Sequence, residues 1–137
     1  MGTEREPLSH AEVLGRWTGS FVDELVACGL RDVCLCPGSR SAPLAIAFAR
    51  HPDVMVWTHL DERSCAYFAL GMAKARPDAP VAVLCSSGTA AVNFAPAVVE
   101  AYHSRVPLIV VTADPRRSCR TSAPTRRSTS TACTARP

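Results

Sequence analysis

The chain has 137 residues, 47% of them hydrophobic, with 15 basic and 12 acidic side chains and a formal charge of +3. That length suits one domain with its own core rather than two. No stretch approaches the roughly 20 apolar residues of a membrane span, and the polar opening Met1 to Pro7 lacks the apolar segment of a signal peptide.

The charge divides unevenly. Six arginines and no acid follow Asp114, which leaves nine basic against 12 acidic residues before it, a net of about −3. Seven cysteines (28, 34, 36, 65, 85, 119 and 133) show neither a CxxC pair nor an extracellular disulfide spacing. Cys34 and Cys36 alternate with Val33 and Leu35, as small buried hydrophobes do. A reduced, cytoplasmic setting is expected.

In chain order, residues 1–8 read as a flexible N-terminus, and Ser9-His10-Ala11-Glu12 has the spacing of a capping box. Val13, Leu14, Trp17, Phe21, Leu25 and Val26 follow at helical spacing, and Cys28-Gly29 closes this helix with a glycine at the C′ position. Asp32 to Cys36 is a short strand stopped by Pro37-Gly38. A helix over Ala42 to Arg50 runs to His51-Pro52, and Val54 to Thr58 makes the next strand. Asp61 then caps a helix from Glu62 to Ala75.

Val81 to Cys85 is a continuous apolar strand. Ser86-Ser87-Gly88-Thr89 leads into a helix from about Ala90 to Ser104, and Leu108 to Thr112 is the last strand. Strands alternating with helices, and written as unbroken apolar runs, predict an α/β domain with a parallel sheet flanked by helices. Residues 115–137 contain no Val, Leu, Ile, Met or aromatic residue. Such a segment is expected to be a disordered tail, because it buries too little apolar area to offset its ordering entropy. Its arginines lack interleaved aromatics, so nucleic acid is not an expected partner.

Three loops follow three of these strands and should emerge on one edge of the sheet: Pro37 to Ser41, His59 to Ser64, and Ser86 to Thr89. Each opens a helix, whose free N–H groups favour acceptor groups of a ligand. Gly38 and Gly88 permit positive φ or close backbone approach, Ser39, Arg40 and Thr89 supply donors, and Glu62 places a carboxylate where α/β folds put their chemistry. Singly, each motif is ordinary turn or cap chemistry; together they predict a site for a polar small molecule. No GxGxxG or Walker sequence supports a nucleotide reading.

The motifs also match a known family. Cys36-Pro37-Gly38-Ser39-Arg40-Ser41-Ala42-Pro43-Leu44, Asp61-Glu62-Arg63-Ser64, Ala69 to Lys74, Ser87-Gly88-Thr89-Ala90-Ala91-Val92-Asn93-Phe94, and Leu108 to Asp114 stand in order. They resemble the N-terminal, pyrimidine-binding domain of the thiamine-diphosphate-dependent 2-succinyl-5-enolpyruvyl-6-hydroxy-3-cyclohexene-1-carboxylate synthases of menaquinone biosynthesis.

The resemblance implies the thiamine-diphosphate-binding fold over residues 9–114. It also implies a transferase that decarboxylates 2-oxoglutarate and adds the remaining unit to isochorismate. Carried over, Glu62 hydrogen-bonds the aminopyrimidine ring nitrogen and favours the imino tautomer that takes the thiazolium proton. Ser39 and Arg40 match substrate contacts, the guanidinium suiting carboxylates. Gly88, Thr89 and Asn93 match the loop beside the pyrimidine. A homo-oligomer is implied, and no membrane partner.

The match departs from the family after Thr112-Ala113-Asp114. The family continues with an arginine, a Pro-Pro-Glu-Leu run and a glutamine-bearing stretch; here Pro115-Arg116-Arg117-Ser118-Cys119 follows. The diphosphate domain that holds Mg2+ or Mn2+ is also missing, so no metal ligand is assigned and the chain alone is expected to be inactive. Regrouping GC-rich codons for Arg117 through Pro137 permits a reading that begins Pro-Glu-Leu, which makes the tail a candidate frameshift product; a natural extension is the alternative. Two further readings stay open: the pyrimidine domain of another thiamine-diphosphate decarboxylase or synthase, and a non-catalytic binding or dimerisation module.

Overall fold

The computed structural model describes residues 8–113. The expected tail over 115–137, and all of the expected flexible N-terminus except Leu8, lie outside the described residues.

Helix α1 (His10–Ala27) starts at the capping box: the Glu12 N–H donates to Ser9 Oγ at 3.3 Å and the Ser9 N–H donates to Glu12 Oε2 at 2.8 Å. It ends with Gly29 at φ 99°, where the Leu30 N–H reaches the Leu25 carbonyl at 3.0 Å, so glycine supplies the left-handed turn. The apolar stripe read from the sequence is turned partly outward. Val13 and Trp17 are exposed, and the buried ridge is Thr18, Val22 and Val26. Thr18 tolerates burial because its hydroxyl donates within the helix, to the Leu14 carbonyl at 2.9 Å and that of Gly15 at 3.1 Å.

Strand β1 (Asp32–Leu35) leads to α2 (Ala42–Arg50), which carries Pro43 in its first turn and ends where Pro52 forces His51 into an extended conformation. Strand β2 (Met55–Thr58) leads to α3 (Glu62–Ala75), capped by Asp61 Oδ1, which accepts the Ser64 N–H at 2.7 Å. After β3 (Val81–Cys85), the helix expected from Ala90 to Ser104 is two: α4 (Thr89–Asn93) and α5 (Ala95–His103). Pro96 is the cause, since it has no N–H to give the Val92 carbonyl and its ring crowds that group. Strand β4 (Leu108–Thr112) follows.

The four strands are parallel in the order β2-β1-β3-β4. Helices α1 and α2 cover one face over Val33, Leu35, Ala82 and Leu84; α3 and α5 cover the other over Cys34, Val81, Val83 and Cys85. Phe48 is fully buried in the first layer and Phe94 nearly so in the second. Removing either ring to alanine leaves a cavity and costs about 3–5 kcal/mol. Only β1 and β3 are buried along their whole length; β2 and β4 are edges and remain partly exposed despite their apolar sequences. A staple fixes the start of β1: Asp32, buried, accepts from Trp57 Nε1 at 2.9 Å and Arg76 Nη2 at 2.7 Å.

Candidate functional site at the strand ends

Because all strands point one way, the loops after β1, β2 and β3 leave the same edge of the sheet. Between β1 and β3 the chain departs to opposite faces, to α2 on one side and α4 on the other. This is the switch point at which open α/β sheets form a crevice.

Its walls are fixed by short contacts. The Ser41 N–H and hydroxyl both donate to the Gly38 carbonyl at 3.1 Å, and Ser41 is fully buried. Gly38 lies so near Ser86 that a side chain would collide with it. Above that contact Arg40 Nη1 donates to Ser87 Oγ at 3.2 Å. On the far wall Gly88 sits at φ 71°, ψ −128°, a conformation open to glycine, and caps α4.

Glu62 begins α3, the helix that crosses from β2 over β1 to β3. It is half-buried, and among the described residues no side-chain hydrogen bond involves it. Its charge is felt at the ends of both central strands. Burial, then Glu62, push the Cys85 thiol up to about 12. Burial raises Cys36 as well; a hydrogen bond with Cys65 partly offsets this, and Glu62 adds to the rise. Cys65, one turn into α3, is raised by burial first and then by its neighbouring thiols. The thiols near these strand ends are therefore neutral at ordinary pH.

The sequence-derived residues fall as follows. Arg40 and the loop bearing Gly88 are in direct contact through Ser87, and Glu62 stands beside the same strand ends. Ser39 is exposed on the turn before Arg40, and Thr89 and Asn93 are exposed at either end of α4. No bond joins Ser39, Thr89 or Asn93 to Glu62 among the described residues. Ser87 and these buried thiols were not assigned roles from sequence; the position of Cys36 and Cys85 at the ends of the two most apolar strands was the available signal. The constellation is an open edge rather than a cavity. A groove of about 540 Å3 lies to its side, lined by apolar residues of α2 and β2 together with Gly38 and Ser39, and Glu62 takes no part in it. Chemistry favours the open edge, where the donors and the carboxylate are. Among the described residues no group of three His, Cys, Asp or Glu side chains is arranged to hold a metal ion.

Residues 17–131 match the family described as thiamine pyrophosphate enzyme, N-terminal TPP binding domain. The chain belongs to this thiamine pyrophosphate enzyme family. Curated relatives are named 2-succinyl-5-enolpyruvyl-6-hydroxy-3-cyclohexene-1-carboxylate synthase. That of Chloroflexus aurantiacus is 58% identical over 106 residues, covering 77% of this chain and 18% of the relative. That of Roseiflexus castenholzii is 61% identical over 95 residues, covering 69% of this chain and 16% of the relative. The chain thus spans under a fifth of the length of these relatives. The crystal structure of benzoylformate decarboxylase from Polynucleobacter necessarius superposes with a TM-score of 0.65 at 22% identity, over 82% of this chain and 20% of that one. That likeness supports the thiamine pyrophosphate enzyme fold. The residues present are of the kind that suits the ring end of the cofactor: a half-buried carboxylate with no side-chain hydrogen bond among the described residues, and, on the loop after β3, a glycine whose backbone can be approached closely.

Proposed function

We propose that this chain is the pyrimidine-binding part of a 2-succinyl-5-enolpyruvyl-6-hydroxy-3-cyclohexene-1-carboxylate synthase, a transferase of menaquinone biosynthesis that uses 2-oxoglutarate and isochorismate. The identity of more than half of the aligned positions with the Chloroflexus protein carries this reading. When bound, thiamine diphosphate supplies the electron sink for loss of carbon dioxide from a 2-oxo acid.

The chain's own residues act on its ring end. Glu62, half-buried, shares a proton between its carboxylate and the ring nitrogen. Gly88, Thr89 and Asn93 line the ring, Gly88 by permitting backbone approach and the other two as donors. Arg40, with Ser39 beside it, binds the carboxylates of the two substrates through its planar fork. The Mg2+ or Mn2+ that accompanies the diphosphate in this reading has no ligand set among the described residues.

Leu60 at 98% exposed, Val92 at 69% and Tyr102 at 65% support a homo-oligomer in which apolar surface is covered by a second subunit. The five free cysteines among the described residues support a reducing, cytoplasmic location. No helix among the described residues is long and apolar enough to cross a membrane.

A domain exchange tests the assignment. Residues 9–113 replace the matching segment of the Chloroflexus synthase, and decarboxylation of 2-oxoglutarate and product formation with isochorismate are measured. The chimaera should be active, and Glu62→Gln in it should lower turnover by about 10²–10⁴-fold. Full activity of the Glu62→Gln chimaera, or turnover by this chain alone, contradicts the assignment.

A further inference from the structure

We propose that Ser87 is a positioning residue for carboxylate recognition: it holds the Arg40 guanidinium over the crevice between β1 and β3 and thereby sets affinity for a dicarboxylate. The proposal rests on the reading of Arg40 as the carboxylate-binding group, and it adds the group that orients it.

Three observations carry it. First, Ser87 Oγ accepts from Arg40 Nη1 at 3.2 Å across loops that belong to different strands and helices. Second, both loops are immobilised at their bases: Gly38 is packed against Ser86, and the buried Ser41 binds the Gly38 carbonyl twice. Arg40 therefore projects from a fixed turn toward a fixed acceptor. Third, the partner is neutral. A guanidinium has five N–H donors, so one bond to Ser87 leaves four, enough for a two-pronged carboxylate contact. The serine hydroxyl, having accepted, still carries its own hydrogen to donate to a carboxylate oxygen.

A free arginine loses many rotamers when it clamps an anion, and one already restrained loses fewer. An aspartate in place of Ser87 would restrain the guanidinium too, but would neutralise it. Serine orients Arg40 while leaving its charge available.

The test uses the whole chain labelled with ¹⁵N-arginine, with the Arg40 Nε–Hε signal assigned by its loss in Arg40→Lys. Two quantities are read: the exchange broadening of that signal without ligand, and the dissociation constant for 2-oxoglutarate from its shift on titration. Ser87→Ala should free the guanidinium and weaken 2-oxoglutarate binding about tenfold. Ser87→Thr, which keeps the hydroxyl, should stay within about twofold of the unsubstituted chain. Ser87→Asp should keep Arg40 restrained yet abolish the shift. Unchanged affinity in Ser87→Ala, with backbone dispersion intact, overturns the proposal. Should any variant lose dispersion, the threonine and aspartate variants decide between them, because a merely structural serine predicts no contrast in which restraint and affinity part. If 2-oxoglutarate leaves Arg40 unperturbed in the unsubstituted chain while Ser87→Ala still frees the guanidinium, it is the reading of Arg40 that fails, and the carboxylate role of Ser87 with it.

Discussion

Gly38 and Ser86 meet at the base of the crevice: a Cβ built on Gly38 falls 2.8 Å from Ser86 Cβ, closer than two such carbons pack. Gly38 has no left-handed backbone, so its requirement is steric, and Ser86 Cβ is fixed by the end of β3 and cannot yield as a side-chain tip does. Gly38→Ala should destabilise the chain by about 1–3 kcal/mol in urea unfolding. Ser86→Gly in the same chain should recover most of that loss. Simple additivity of the two substitutions would show that the contact is not the cause.

Gly88 and Arg105 give the opposite case, in which backbone rather than space decides. A Cβ on Gly88 meets nothing within 4 Å, but φ 71° with ψ −128° is strained for any other residue. Gly88→Ala should cost about 1–3 kcal/mol. Arg105 already sits at φ 55°, in the turn after α5 where the Val106 N–H reaches the Ala101 carbonyl at 2.9 Å. Arg105→Gly should stabilise by about 0.5–1 kcal/mol, seen as a higher Tm; a lower one would mean that the arginine side chain matters more than its backbone.

Thiol chemistry should separate the cysteines sharply. Burial pushes Cys34 and Cys85 up to about 12 and raises Cys36 and Cys65 too, whereas Cys28 is exposed. In a chain with Cys119→Ser and Cys133→Ser, an aromatic disulfide reagent at pH 8 should consume one thiol quickly and four more only in denaturant. Rapid loss of a second thiol in the native chain would mean that the core around Cys34, Cys36, Cys65 and Cys85 opens to solvent.

Two exposed caps give the fold an acid-sensitive component. The Ser64 backbone N–H holds the Asp61 carboxyl below its ordinary 3.8, and the Ser9 hydroxyl, with its N–H, holds Glu12 below 4.5. A depressed folded value means that stabilisation is complete above the ordinary value and is lost as pH falls through the depressed one. Stability should therefore decline as pH drops through and below the 3.8–4.5 range. Combining Asp61→Asn, which still caps, with Glu12→Gln should flatten that decline. Parallel acid profiles for the two chains would locate the sensitivity elsewhere.

Much of this architecture was legible in the residues. The four apolar runs became four parallel strands, and Asp61 began α3 and Gly29 ended α1 where their chemistry requires. The three loops that carry the motifs do leave one edge of the sheet, as the alternation of strands and helices predicted. Other features depend on partners far away in sequence. The outward turn of Trp17 follows from which ridge of α1 meets Phe48 and its neighbours, and Thr18 could take an inward place because its hydroxyl is satisfied within the helix. The break at Pro96 was readable from local chemistry alone. The Arg40–Ser87 bond was not, since two serines in succession offered equal claims until the packing of Gly38 occupied Ser86.

That same bond spans 47 residues of chain. The crevice consequently has no local precursor: its two walls come from loops brought together by the pairing of β3 with β1, which α3 connects across the sheet. During synthesis, Glu62 and Arg40 emerge long before the segment that brings them into register. A variant that slows β1–β3 pairing should therefore delay formation of the Arg40–Ser87 contact by an equal time.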